Sequence, residues 1–155
     1  MAAGSRLDSA PLSERLPGTW KLVSRIDVVT ADGQRSIDPA LGEDPIALLF
    51  YDRSGHFSAQ FMKRDRTTPA ADAPAGGPNN SRARGGYDAY FGSYRVDDAT
   101  GCVTQRLLGC LSNENVGQEL TRAMTVAGDT LTIQLQTTSS QGEPITRTLT
   151  WQRVG

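Results

Sequence analysis

Residues 18–29 read GTWKLVSRIDVV. Apolar and polar residues alternate here, and β-branched side chains recur, which is the pattern of a half-buried strand rather than a helix. Trp20, Leu22, Ser24, Ile26 and Val28 fall on one face, and Lys21, Val23, Arg25, Asp27 and Val29 on the other. The far end of the chain mirrors it. EPITRTLTWQR (143–153) alternates Ile145, Arg147, Leu149, Trp151 and Arg153 against a row of threonines and Gln152. Each run carries one of the two tryptophans, and each sets arginine beside apolar residues.

Between these runs the chain is punctuated every eight to twelve residues by turn signals. IALLFY (46–51), DRSG (52–55) and HFSAQFM (56–62) read as strand, hairpin turn and strand. YDAYFGSYRV (87–96), CVTQRLLGCL (102–111), GQELTRAMTV (117–126) and TLTIQLQTT (130–138) follow, separated by DDATG, SNEN and AGD, with SSQG before the last run. About eight strands joined by short turns predict an all-β fold, an antiparallel up-and-down meander. Closing it into a barrel removes the exposed edges of an open sheet. Residues 1–16 are expected to be a flexible lead-in, with LSERL forming one short helical turn, and residues 17–155 a single domain. Residues 63–86 are rich in Pro, Gly, Ala and charge. They are too long for a hairpin turn and form a candidate lid.

Composition narrows the function classes. Sixteen basic and seventeen acidic side chains nearly cancel, with no basic stripe of the kind a nucleic-acid partner needs. No apolar run reaches the roughly 20 residues of a membrane helix. The first residues lack a secretory apolar segment, so a cytoplasmic location is expected. One histidine, His56, and two cysteines, Cys102 and Cys110, offer no metal-ligand spacing. Eight residues of one strand would hold the cysteines roughly 26 Å apart, beyond the ~7 Å a disulfide allows. Neither a metal nor a cofactor is expected. There is no nucleophile motif G-x-S-x-G and no phosphate loop. A homodimer is compatible with these features.

The strings GTWKLVS, LLFYDRSGHFSAQF, YDAYFGSYRVD, VGQELTRAMTVAGDTLTIQL and LTWQR, in this order, resemble the bacterial and fungal lipocalin-like domain family over residues 16–154. The resemblance implies an eight-stranded barrel with a cavity for a small apolar or amphipathic molecule. It also implies that Trp20 packs at the closed end beneath Arg153. One departure stands out. Where family members often carry V-T-H-H, this chain has Val103-Thr104-Gln105-Arg106, and glutamine cannot shuttle protons near neutral pH.

Strand alternation places Arg122 with Leu120, Met124 and Val126, and Arg147 with Ile145 and Leu149. A charge on a core-facing position needs a partner. A carboxylate such as Asp27, Asp88, Glu114 or Glu119 would make these arginines structural. A ligand carboxylate or enolate would make them a binding site, because guanidinium is a planar fork. Tyr90 and Arg122 are candidate catalytic groups. Phe57, Tyr94, Gln105, Met124 and Arg147 are candidate ligand contacts. Trp20 and Arg153 are structural candidates. Three functions fit this barrel. It could be a cofactor-independent cyclase or isomerase of a secondary-metabolite intermediate, as lipocalin-like barrels are in some polyketide pathways. It could be a passive small-molecule carrier, or a structural protein whose lumen is filled by its own side chains.

Overall fold

A computed structural model describes residues 9–67, 83–139 and 141–155. The strands are β1 (Gly18–Val29), β2 (Arg35–Ser36), β3 (Ile46–Tyr51), β4 (His56–Met62), β5 (Tyr87–Asp97), β6 (Cys102–Cys110), β7 (Glu119–Ala127), β8 (Thr130–Thr138) and β9 (Pro144–Arg153). Every sequential pair from β3 to β9 is antiparallel. β1 pairs with both β3 and β9, so the sheet closes into a barrel of eight strands. The short β2 lies on the end of β1 as an added hairpin arm. The turn signals read from the sequence fall between the strands. Asp52 organises the β3–β4 turn by accepting hydrogen bonds from the Ser54 and His56 amides and the Ser54 hydroxyl.

β1 departs from simple alternation. Its register against β9 shifts between Leu22 and Ser24. Val23 is left on the outside, 56% exposed, and the inward phase flips. Trp20 faces inward before this bulge, and Arg25, Asp27 and Val29 are buried after it. A single unbroken Trp20–Val28 face therefore does not form. In β7, β8 and β9 the expected alternation is present, with Leu120, Met124, Val126, Leu131, Ile133, Ile145, Leu149 and Trp151 all buried.

The closed end is built around Trp20, which is fully buried. Its Nε1 donates to the Leu16 carbonyl at 3.0 Å, and the Arg153 guanidinium lies 4.3 Å from the ring centroid. Arg153 also donates to the Pro17 and Arg15 carbonyls. A side chain at Gly18 would run into Arg153, and Gly18 has φ +146°. Glycine two residues before the tryptophan is thus favoured by its positive φ and by the Gly155 carbonyl, with the covering arginine also close. Residues 9–16 are packed rather than loose. The helix α1 (Leu12–Arg15) crosses the barrel floor with Leu12 and Leu16 buried, and Ser13 donates twice to Asp98.

The two ends of the long 63–86 connection are joined by Lys63 N–H to the Gly86 carbonyl, and an Arg84–Tyr87 bridge tightens the second end. The lid expected over its middle, residues 68–82, lies outside the described residues. No described helix is long and apolar enough to cross a membrane. Trp20→Ala should cost about 3–5 kcal/mol, read as a lower urea midpoint. A near-neutral change would mean that the indole does not hold the barrel floor.

Candidate functional site

The barrel interior divides into two halves. Near the floor it is filled by aromatic rings and aliphatic side chains. Tyr51 stacks with Phe57 at 6.0 Å and meets the edge of Tyr94 at 4.8 Å. The Tyr94 hydroxyl donates to the Asp52 carbonyl in the β3–β4 turn, and Met124 sets its sulfur 3.9 Å from the Tyr51 hydroxyl. Phe57, Tyr94 and Met124, candidate ligand contacts from the sequence, therefore pack among themselves and around Tyr51. They do not line the open space.

Above this filled half lies a cavity of about 60 Å³. Its walls include Tyr90, Gln105, Arg122 and Arg147 from the expected set. They also include Arg25, Leu41, Tyr51, Asp88 and Trp151, which sequence reasoning did not single out as site residues. An apolar cavity of about 150 Å³ holds a benzene. The space here suits a compact polar group, not a whole apolar ligand. The small, buried Ala59 stands between Leu49 and Tyr90, two of the lining residues, in the register of β3, β4 and β5.

Three arginines reach this space, and their neutralisation differs. Arg147 and Asp27 face each other across β9 and β1 and form a bidentate pair, 2.8 and 3.0 Å, with both residues buried. Arg147 therefore fits the structural alternative. Arg25 pairs with Asp38 at 3.0 Å. Asp38 also accepts from the Ala40 amide, so the same carboxylate fixes the segment that carries Leu41 to the top of the cavity. Burial lowers the Arg25 pKa, and the nearby Arg147 lowers it further, while Asp38 and Asp27 work against both.

Arg122 is neutralised by neither device. It donates from Nη1 to its neighbour's carbonyl, that of Thr121, at 3.2 Å, and no described carboxylate forms an ion pair with it. Burial lowers its pKa, and Tyr90 and Tyr51 oppose that shift. Burial in turn pushes the Tyr90 phenol up to about 12, with Asp88 adding to the rise and Arg122 opposing it. Tyr51 is raised well above its ordinary value, again by burial first. Both phenols are thus neutral donors at physiological pH. Tyr51 donates to Gln105 Oε1 at 2.9 Å, so Gln105 has the satisfied place a buried amide needs. His56 is outside the barrel, 59% exposed at its side chain and held in a turn with Ser54 and Asp52. Among the described residues no group of three or more His, Cys, Asp or Glu could hold a metal.

A sequence profile described as a lipocalin-like domain matches residues 17–154. The chain belongs to the lipocalin-like domain family. No curated protein matches it. For a lipocalin-like barrel the polarity of the cavity is informative. A fold suited to small-molecule binding here offers guanidinium, phenol and indole donors in a cavity also lined by Leu41, Leu49, Ile133, Leu135 and Leu149.

Two outcomes follow from the buried groups. Arg147→Met leaves Asp27 buried without its partner and should cost about 3–5 kcal/mol, whereas replacing both, Asp27→Leu with Arg147→Met, should recover most of that loss. A urea double-mutant cycle reads the coupling. The tyrosine shift has a definite sign. A phenol whose folded pKa is raised holds its full contribution below the unfolded value of about 10. That contribution is lost as pH rises toward about 12. Midpoints should therefore fall through that window, and less steeply in Tyr90→Phe.

Proposed function

We propose that the chain binds a small amphipathic molecule with its polar end in the upper half of the barrel and its apolar part directed to the mouth. The observation that carries this reading is Arg122, a guanidinium on the cavity wall with no described carboxylate partner. A structural protein gains nothing from an uncompensated cation in its interior. A binding protein gains a recognition element. The small volume supports a head-inward arrangement, because a complete apolar ligand would not fit below Leu41.

A second reading is supported by the phenol beside that guanidinium. Neutral Tyr90 and charged Arg122 could together stabilise negative charge that develops on a substrate oxygen. The barrel would then be a cofactor-independent cyclase or isomerase of a secondary-metabolite intermediate, drawing its rate from holding a flexible substrate in its reactive shape. Turnover that Tyr90→Phe lowers by about 10²-fold, with binding retained, would favour this reading over a passive carrier.

Thermal unfolding with straight-chain carboxylates, primary amides and alcohols of about four to ten carbons tests the binding function. At least one series should raise the melting temperature saturably. Leu135→Phe, which fills the cavity wall, should abolish the rise. If no series shifts the wild-type protein, the barrel does not bind small molecules in this space.

A further inference from the structure

Among the described residues, two donors on the cavity wall lack acceptors and a third has only a carbonyl of its own strand. Arg122 donates only to the Thr121 carbonyl beside it in its own strand. Trp151 is 1% exposed, and its Nε1–H is buried with no partner among the described residues. The Tyr90 hydroxyl likewise has no described hydrogen-bond partner, although its ring is held on two sides by Phe57 and Phe61. These groups lie near one another. Phe61 stacks with Tyr90 at 6.3 Å and meets Trp151 edge-on at 5.8 Å, so one ring bridges the phenol and the indole. All three residues line the same cavity.

Their chemistry selects a ligand. All three can donate hydrogen bonds, and one carries a positive charge. The other cavity arginines are already neutralised by Asp27 and Asp38. Asp88, the carboxylate on the wall, has an interaction of its own and keeps Oδ1 buried without a hydrogen-bond partner among the described residues, and no described ion pair joins it to Arg122. One uncompensated charge calls for one negative charge. Several convergent donors call for more than one acceptor oxygen. The guanidinium fork matches a planar oxygen pair, and the volume admits only a small head group. Resting on the binding function proposed above, we infer that the head group is a carboxylate. It is ion-paired with Arg122 and hydrogen-bonded by Tyr90 and Trp151, and its alkyl or aryl tail runs past Leu41 and Leu135 to the barrel mouth.

The two tryptophans make this testable. The Trp20 indole N–H is occupied by the Leu16 carbonyl and serves as an internal control, and Trp151→Phe assigns the other signal. The indole ¹H–¹⁵N signals of the full chain are followed while acetate, butyrate, hexanoate and octanoate are titrated, each against its primary amide. The Trp151 signal should move saturably with the carboxylates and the Trp20 signal should not. Affinity should rise with chain length, and each acid should bind at least about tenfold tighter than its amide, a gap expected for a charge-assisted contact. Arg122→Met should erase the acid–amide gap. Arg122→Lys, which keeps the charge but loses the fork, should retain part of it. Because Arg122 holds no partner in place, Arg122→Met should keep the wild-type indole spectrum before ligand is added, which shows that it folds. Acids and amides binding equally would overturn the carboxylate assignment while leaving the binding function intact. An acid–amide gap unchanged in Arg122→Met would remove Arg122 as the anion site. Silence of the Trp151 signal to all eight compounds would mean that water alone serves these donors.

Discussion

Strand β1 must satisfy two neighbours at once. Near Trp20 it is paired with both β3 and β9, and beyond Leu22 it continues along β9 to Val29. Meeting both registers in a twisted, closed sheet requires a local change of pitch, which the bulge at Val23 supplies. One extra residue turns the inward phase over. Had the alternation run on unbroken, Ile26 and Val28 would face the lumen, and Arg25 and Asp27 would be in water. With the bulge, two charged residues enter the barrel, and the rest of the interior answers them. Asp27 takes Arg147 from the neighbouring strand, and Arg25 takes Asp38 from the connection above. The polar character of the upper lumen is thus a consequence of how the barrel closes.

The legible parts of the sequence were those with strict period two. β7, β8 and β9 show it clearly, and Arg122 and Arg147 were placed on the inner face from it alone. The Trp20–Arg153 floor followed from the ends of the first and last runs together with the family resemblance. Arg25 was missed because a bulge leaves no mark in a residue pattern: Val23 is an ordinary strand residue, and only the partner's register shows that it is surplus. Tyr51 and Asp38 were missed for a different reason. The IALLFY run is apolar on both faces, with Ile46, Leu48 and Phe50 all more than a third exposed. Nothing in it says which side faces in. Asp38 belongs to a connection, and its contact with Arg25 depends on that connection folding back over the mouth. Phe57, Tyr94 and Met124 face inward, but periodicity gives the face and not the height. They sit below the cavity rather than around it.

Gly92 shows how far such height information depends on packing. It faces inward on β5 opposite Leu107, and a side chain there would collide with the Arg106 carbonyl. The register against β6 shifts between Phe91 and Gly92. The glycine lets the two backbones approach below Tyr90. It therefore serves strand packing.

The three cavity arginines give the barrel a natural comparison within one site. Removing a guanidinium from water is costly, and a bidentate carboxylate recovers much of that cost when both partners are well placed. Arg147 is placed in that way, and Arg25 has a single contact with Asp38. Arg122 is half-buried where those two are buried, and Tyr90 and Tyr51 lie close enough to influence its charge. Yet β5 and β3 supply it with phenols, which are neutral, where β1 and the connection before β3 supply the other two with aspartates. A carboxylate in place of Tyr90 or Tyr51 would have neutralised Arg122 and filled its fork. Instead both aromatic positions keep their protons, and Gln105 accepts from one of them without adding charge. Of the three cavity arginines, two are thus ion-paired with aspartates, and Arg122 has no described carboxylate partner.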